Sequence, residues 1–312
     1  MVNIPVLIIG YNRPLLLEKL LSHLNGIGVK KIYVALDGPK NEHDSVPCMQ
    51  NLNLVKQNKH GLEIKVLHRD YNLGCCLGVI SALDWFFSEE HFGAVIEDDC
   101  FPDSSFFQFL SNARENTTQM PLSKLRIFTA HNPFDHNFRG DLSNKVLIHG
   151  WATHSIVWKK VRNDYFKFKA PAITNKLGEN RSLQEALYWW ANSTRAKLGI
   201  IDTWDGIFND QVWRLGFKTL IPESNMVENL GFGPSATHTK DNNQSNQVLL
   251  DNEILKHSNL NFLLNKYYFK IKPRHILTSL IRILIDLGKL PKPRKFEKLL
   301  NHDLLVRKTE LP

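Results

Sequence analysis

Four short apolar runs, separated by stretches with helical spacing, set the strongest limit on how this chain can fold. The first, Val6-Leu7-Ile8-Ile9, is typical of a strand buried on both faces. The other runs lie at 31–36, 62–67 and 92–96, and helices are predicted between them, from Pro14 to about Gly26, at 45–58 and at 77–87. This β-α-β alternation predicts a parallel sheet with right-handed crossovers.

Polar residues follow each predicted strand, at the end where open α/β sheets bind their ligands. The clusters are Asn12-Arg13, Asp37, Arg69-Asp70 and Glu97-Asp98-Asp99. Because parallel strands place their carboxyl ends along one edge, these side chains are expected to converge. Four clusters along one edge indicate a binding site more strongly than any single cluster does.

Three consecutive acids, Glu97, Asp98 and Asp99, come directly after the fourth apolar run. Adjacent carboxylates repel each other and desolvate badly, so a strand end that keeps three of them predicts a hard divalent cation. The alternative is an acidic turn that caps the following helix. Asp103-Ser104-Ser105 already supplies such a cap, so that alternative does not require the three acids.

The second half of the chain has a less regular pattern. We expect a helix at 103–116 and strands at 125–129, 146–149 and 154–158. Helices are predicted at 182–196 and 206–215, followed by a strand at 217–221 and a loop at 231–247.

Composition indicates an ordinary globular protein with an unusually basic end. Of 312 residues, 43% are hydrophobic and 22% charged, and no apolar run is long enough to span a bilayer. The four cysteines form no disulfide or zinc pattern, and no signal peptide is recognised, so we expect a cytoplasmic protein. Residues 256–312 hold 13 Lys and Arg against 4 Asp and Glu, which accounts for the net charge of +8.

This basic tail contains an amphipathic helical pattern over 273–290, followed by more basic residues up to 295. One prediction is that residues 273–295 lie on the inner face of the cell membrane, as a peripheral contact. The alternative is that the helix packs on the body of the protein or on a second copy in a homodimer.

Several segments, taken together and in order, resemble nucleotide-sugar glycosyltransferases of the GT-A fold. The early ones are P-V-L-I-I-G-Y-N-R-P at 5–14, Y-V-A-L-D-G at 33–38, H-R-D-Y-N-L-G at 68–74 and V-I-E-D-D-C at 95–100. The last is similar to the E-D-D motif of N-acetylglucosaminyltransferase I and of bacterial transferases that build surface polysaccharides. Segments at 151–153, 203–205 and 228–239 resemble later parts of those bacterial enzymes.

The resemblance implies a GT-A (Rossmann-like) fold, in which a mixed, mostly parallel sheet is flanked by helices. Residues 1–255 would form the catalytic domain, with a nucleotide-binding half at 1–100 and an acceptor-side half at 101–255. Residues 256–312 would be a basic amphipathic helical extension outside that domain.

The same resemblance assigns roles on the donor side. Asp99 would bind Mn²⁺ or Mg²⁺, and Glu97 and Asp98 would reach the ribose, the donor sugar or metal-bound water. Arg13, beside Asn12, would flank the nucleoside or phosphate, and Arg69 could serve the same purpose. Asp37 would accept hydrogen bonds from uracil or ribose; the alternative is that it is a plain turn residue. His238 would be a metal or phosphate ligand; the alternative is that it is a solvated loop residue.

On the acceptor side, the resemblance favours Asp205 as the base that removes the acceptor hydroxyl proton. Asp210 is the rival base, and the alternative for Asp205 is a helix N-cap. Trp151 could stack on a sugar face, although a buried core position is the more common role of a tryptophan.

The leading prediction is therefore a metal-dependent, non-processive, inverting glycosyltransferase of the hexosyltransferase class. It would move sugar from a nucleotide donor, with UDP favoured, to a glycan or lipid-linked acceptor in surface polysaccharide synthesis. The alternatives are a sugar-phosphate nucleotidyltransferase, which would want a Gly-rich loop after the first strand, and a non-catalytic protein that binds glycan or nucleic acid. Acids at strand ends repel phosphate, so a nucleic-acid partner is not expected.

Overall fold

A computed structural model describes residues 2–117, 121, 125–133 and 141–231 of the chain. The strands are β1 (Val6–Gly10), β2 (Lys31–Leu36), β3 (Glu63–His68), β4 (Phe92–Glu97), β5 (Cys100–Pro102), β6 (Arg126–Thr129), β7 (Asp141–Ser143), β8 (Trp151–His154), β9 (Lys218–Ile221) and β10 (Val227–Asn229). The helices are α1 (Pro14–Ile27), α2 (Glu42–Gln57), α3 (Gly74–Glu89), α4 (Ser104–Thr117), α5 (Ser155–Asn163), α6 (Leu183–Lys197) and α7 (Asp205–Leu215).

Eight of these strands form one sheet in the order β3-β2-β1-β4-β8-β6-β9-β7. The first four run parallel, β8 is antiparallel to both of its neighbours, β6 and β9 are parallel, and β7 is antiparallel to β9. The predicted fold class, a mixed and mostly parallel sheet flanked by helices, is confirmed. Strands β5 and β10 make a separate antiparallel pair beside the end of β4.

Alternation along the parallel strands creates two hydrophobic cores, one on each face of the sheet. Leu7, Tyr33 and Val95 point to a core that includes side chains of α3, α5 and α7. Val6, Ile8 and Ile96 point to the opposite core, which is covered by α1, α2 and α4. Consecutive helices therefore lie on both faces and leave the carboxyl edge of the parallel strands open for a site.

Two predicted strands are wrong. Residues 154–158 do not form a strand, because β8 ends at His154 and α5 begins at Ser155. Within α5, Val157, Trp158 and Val161 are buried on one face while Lys159 and Lys160 are exposed, which is helical and not alternating spacing. Residues 146–149 are partly buried but pair with none of the strands that the structure describes.

Most of the predicted loop at 231–247, the residue His238 and the whole basic tail lie outside the described residues. Within the part of the chain that the structure describes, no helix combines the length and apolar character needed to cross a bilayer.

Candidate functional site

The three acids lie at the end of β4, where the chain turns into β5. Glu97 ends β4 opposite Ile9 of β1, and the backbone N–H of Asp98 donates to the Ile9 carbonyl at 3.1 Å. Asp98 and Asp99 are buried, with 1% and 7% of their surface exposed. The sheet therefore fixes all three carboxylates at the point where the order of the parallel strands switches direction.

Arg13, at the start of α1, forms ion pairs with two of these acids. Its Nη1 donates to Asp99 Oδ2 at 2.8 Å, and its Nη2 donates to Asp98 Oδ1. The guanidinium thus bonds to one oxygen of each carboxylate and makes no bond to the second oxygen of either. Asp98 Oδ2 is buried without a hydrogen-bond partner, and Asp99 Oδ1 accepts a 3.4 Å bond from the thiol of Cys100.

Burial and mutual repulsion raise the pKa values of two acids in this cluster. Burial raises the pKa of Glu97 to about 8, and the charges of Asp99 and Asp98 add to the effect. Burial likewise raises the pKa of Asp98 to about 6, although the Arg13 charge opposes the rise. The corner therefore contains more carboxylates than one arginine can neutralise, and another cation would lower its energy.

The oxygens that remain fit a hard divalent cation bound in part by substrate. Within the described ranges, no group of three or more His, Cys, Asp or Glu residues is arranged to hold a metal ion. Mg²⁺, however, is usually held by one or two carboxylates together with waters and substrate phosphates. The unpartnered Asp98 Oδ2 and the weakly engaged Asp99 Oδ1 would supply that number of ligands.

Asp37 follows β2 and caps the beginning of α3. Its carboxylate accepts from the backbone N–H of Leu73 at 3.0 Å and of Gly74 at 3.2 Å. Arg69, after β3, is buried and donates to Ser81 Oγ at 2.6 Å on the same helix. Its charge lies close enough to oppose the rise that burial causes in the pKa of Asp37. These two residues shape the edge of the site around α3.

Asn12 connects the loop after β1 to α2. Its Nδ2 donates to Asp44 Oδ1 at 2.8 Å, and the hydroxyl of Tyr11 donates to Asp44 Oδ2 at 2.7 Å. The backbone carbonyl of Tyr11 in turn accepts from Asn51 at 2.8 Å. This network holds the loop that presents Arg13 to the acids.

The two candidate bases on α7 point to different environments. Asp205, the first residue of the helix, is half-buried, and its charge contributes to the raised pKa of Glu97. It accepts from Thr203 Oγ1, while the N-cap position is Trp204, which makes no side-chain cap bond. Asp210 is 1% exposed and accepts from Arg214 Nε at 2.8 Å. Of the two, Asp205 is the one whose charge acts on Glu97, while Asp210 is engaged with Arg214.

Trp151 occupies the core instead of the site surface. It is 1% exposed and stacks on Trp204, with 5.9 Å between ring centroids. The buried position, the alternative considered for it, is the one that the structure shows.

Three residues near the site have no signal in the sequence. The negative charge of Asp99 acts on His149, whose ring lies 5.0 Å from that of His131, between centroids. Gly231 packs against Asp99 so closely that a Cβ atom there would overlap with Asp99 Oδ2. Asp202 bonds to the start of α3, 126 and 127 positions earlier in the chain. Each contact joins residues that are far apart in the sequence, so no local sequence pattern predicts it.

No family model matches the chain, and no curated protein matches it either. Solved structures share parts of its fold at low sequence identity. The S. aureus TarS 1–349 structure is 11% identical, with 72% of this chain and 59% of that one covered and a TM-score of 0.42. Mannosyltransferase PcManGT from Pyrobaculum calidifontis, in complex with GDP-Man and Mn²⁺, is 10% identical over 67% of this chain and 69% of its own, with a TM-score of 0.38.

The galactosyltransferase LgtC, in complex with donor and acceptor sugar analogues, is 8% identical. The match covers 72% of this chain and 86% of LgtC, with a TM-score of 0.34. At these scores the similarities say nothing about activity, so the function has to be argued from the geometry of the site.

Proposed function

We propose that this chain is a glycosyltransferase that moves a hexosyl group from a nucleotide sugar, with UDP as the favoured nucleotide, to a hydroxyl of a glycan or lipid-linked acceptor. The observation that carries the proposal is the cluster of buried acids and Arg13 at the end of β4, with Asp205, at the start of α7, near enough for its charge to act on Glu97. A cation-binding corner for a leaving group and a separate carboxylate for an incoming hydroxyl are the two parts that glycosyl transfer needs.

On the donor side, the loops after β1 and β2 flank the nucleotide. Asn12 and Asp37 stand at these two strand ends, and Arg13 places a positive charge beside Asp98 and Asp99. Mn²⁺ or Mg²⁺ held by the remaining oxygens of Asp98 and Asp99 would offset the charge of the departing diphosphate. His238 would add a ligand from the segment after β10.

On the acceptor side, Asp205 accepts the proton of the attacking hydroxyl. The preceding residue, Trp204, fixes the position of Asp205. Trp204 is buried against Trp151 and Phe208, and the Trp204 carbonyl accepts from the Tyr165 hydroxyl at 2.6 Å. A base on the acceptor side of the sugar favours a single displacement, and hence inversion at the anomeric carbon. Surface polysaccharide synthesis is the pathway that the E-D-D resemblance favours.

A nucleotidyltransferase is the weaker candidate. The loop after β1 would have to surround a triphosphate with backbone N–H groups, yet its residues, Tyr11, Asn12 and Arg13, include no glycine, and Gly10 is the last residue of β1. The Arg13 guanidinium, which could serve such a triphosphate, bonds to the acids instead.

Donor hydrolysis with purified protein tests the proposal. A panel of nucleotide sugars is incubated with Mn²⁺ or with EDTA, and release of nucleoside diphosphate is measured. We expect hydrolysis of one donor, dependent on the cation, in the wild type and loss of it in Asp99→Ala. Asp103→Ala is the matched control, because Asp103 caps α4 four positions later and bonds to the Ser105 N–H at 2.8 Å.

Two outcomes would contradict the proposal. The first is full hydrolysis by folded Asp99→Ala in EDTA. The second is release of pyrophosphate from a nucleoside triphosphate and a sugar phosphate, which would identify a nucleotidyltransferase.

A further inference from the structure

The first turn of α3 is capped by two carboxylates that come from different halves of the protein. Asp37, after β2, accepts from the N–H groups of Leu73 and Gly74. Asp202, in the loop before α7, accepts from Cys75 N–H through Oδ2 and from Cys76 N–H through Oδ1, both at 2.8 Å. Four consecutive backbone donors are therefore satisfied, two by each aspartate.

We infer that Asp202 is a positioning residue, which fixes the start of α7, and with it Asp205, against the nucleotide-binding half. The inference rests on the proposed function, because it assigns Asp202 the task of holding the base in place. It gives Asp202 no contact with substrate.

Three observations support this assignment. Asp202 lies only three positions before Asp205 in the chain. Asp202 accepts hydrogen bonds from the N–H groups of Cys75 and Cys76, and the charge of Asp205 acts on the thiols of the same two residues. In the described part of the chain, these two bonds are the hydrogen bonds that join residues 198–205 to residues 2–100. A carboxylate at a helix N-terminus is also favoured by the helix dipole.

The local backbone is shaped to admit this carboxylate. Gly74 has φ +79°, in the left-handed region, and a Cβ atom there would lie 2.5 Å from Asp202 Oδ2. A glycine at this position therefore meets two requirements, the backbone conformation and the close approach of Asp202. Asp202 itself is exposed, so its bonds lie at the protein surface and not in the core.

Steady-state kinetics of full-length Asp202→Ala and Asp202→Asn tests the inference. We expect the kcat for transfer to fall by about 10- to 100-fold in Asp202→Ala, as displacement of a catalytic group by about 1 Å does. The donor KM should stay within about twofold. Asp202→Asn keeps one acceptor oxygen and should lie between Asp202→Ala and the wild type. Ser182→Ala, which removes the 3.1 Å cap bond to Glu185 N–H on α6, is the matched loss of a helix cap.

Two readouts do not depend on turnover. Hydrogen exchange at the Cys75 and Cys76 amides should become faster in Asp202→Ala but not in Ser182→Ala. Labelling of the Cys75 thiol should also become faster. Burial raises the pKa of that thiol, the charges of Glu97 and Asp202 raise it further, and the substitution removes the Asp202 charge.

The outcomes separate the two proposals. If the wild type transfers no sugar but the amide and thiol readouts change as expected, the proposed function is wrong. The contact of Asp202 with the start of α3 is then still supported. If the wild type transfers sugar and folded Asp202→Ala transfers it equally fast, the positioning role is wrong. A lower donor KM in Asp202→Ala would also overturn it, since the carboxylate would then compete with donor phosphate for the helix.

Discussion

Arg13 and Asp99 are joined by a 2.8 Å hydrogen bond between Nη1 and Oδ2, across 86 positions of the chain. The same guanidinium also reaches Asp98, so one cationic side chain already stands where a divalent cation would act. Arg13 and the cation are expected to share the task of neutralising the corner, each with its own oxygens.

Replacing Arg13 with alanine should therefore make stability depend on the cation. Without metal, Asp98 and Asp99 lose their counterion, and we expect the free energy of unfolding to fall by about 2–4 kcal/mol. Mn²⁺ should raise the melting temperature of Arg13→Ala more than that of the wild type. Thermal unfolding with EDTA and with Mn²⁺ measures both effects, and Arg13→Lys is the control that keeps the charge. An equal Mn²⁺ effect in wild type and Arg13→Ala would contradict the shared role.

The two aspartates of α7 should respond differently to the same substitution. Asp205→Asn should lower the kcat for transfer by about 10²- to 10⁴-fold, the usual contribution of a general base, with little change in melting temperature. Asp210→Asn should instead lower stability by about 2–4 kcal/mol, because it weakens the buried pair with Arg214. Kinetics and chemical denaturation of both variants distinguish these roles. A large loss of kcat in a stable Asp210→Asn would favour Asp210 as the base.

Gly74→Ala should destabilise the protein by about 1–3 kcal/mol, through its left-handed backbone and through the contact with Asp202. In an Asp202→Ala background the second cost disappears, so the substitution should cost less there. A double-mutant cycle by urea denaturation measures the difference. Additive costs would mean that the backbone conformation alone requires the glycine.

His154 should make the protein sensitive to acid. Burial lowers the pKa of its imidazole to about 4, with a further contribution from the positive charge of Arg114. The unfolded chain, with an ordinary histidine pKa of about 6.5, binds the proton more readily. Stability should therefore fall as pH drops from about 6.5 to 4, by roughly 2 kcal/mol from this group. Urea denaturation of wild type and His154→Gln at pH 7 and 4.5 tests this, and an equal loss in both would assign the effect elsewhere.

The first half of the fold could be predicted from the sequence because its signals are local. Strands β1, β2 and β4 each contain a continuous apolar run, and β3 alternates charged and apolar residues. Helix α1 repeats apolar residues at helical spacing, with Leu17, Leu20, Leu21 and Leu24. The second half has shorter elements. Strands β5, β7 and β10 have three residues each, too few to show a period, and were not predicted. The apolar residues Ile156, Val157 and Trp158 suggested a strand where α5 forms.

The candidate site divides in the same way. Residues at strand ends could be found because the topology of a parallel sheet determines where those ends meet. The sequence could not reveal that Arg69 would turn toward Ser81, because side-chain direction depends on packing. The pair of Asp210 and Arg214 has the i,i+4 spacing of neighbours on a helix, but its burial depends on the surrounding fold. Asp202 is an exposed loop acid, and its importance depends on a helix that lies far away in the chain.

Gly231 offers a simple rule for sorting sequences that share this architecture. A side chain at that position would fill the space next to Asp99 Oδ2, while the sheet and its two cores would remain intact. A relative with a bulkier residue there would keep both cores but push the Asp99 carboxylate away from Arg13 Nη1. That one position would then separate sequences that can hold the Asp99 carboxylate in place from those that cannot.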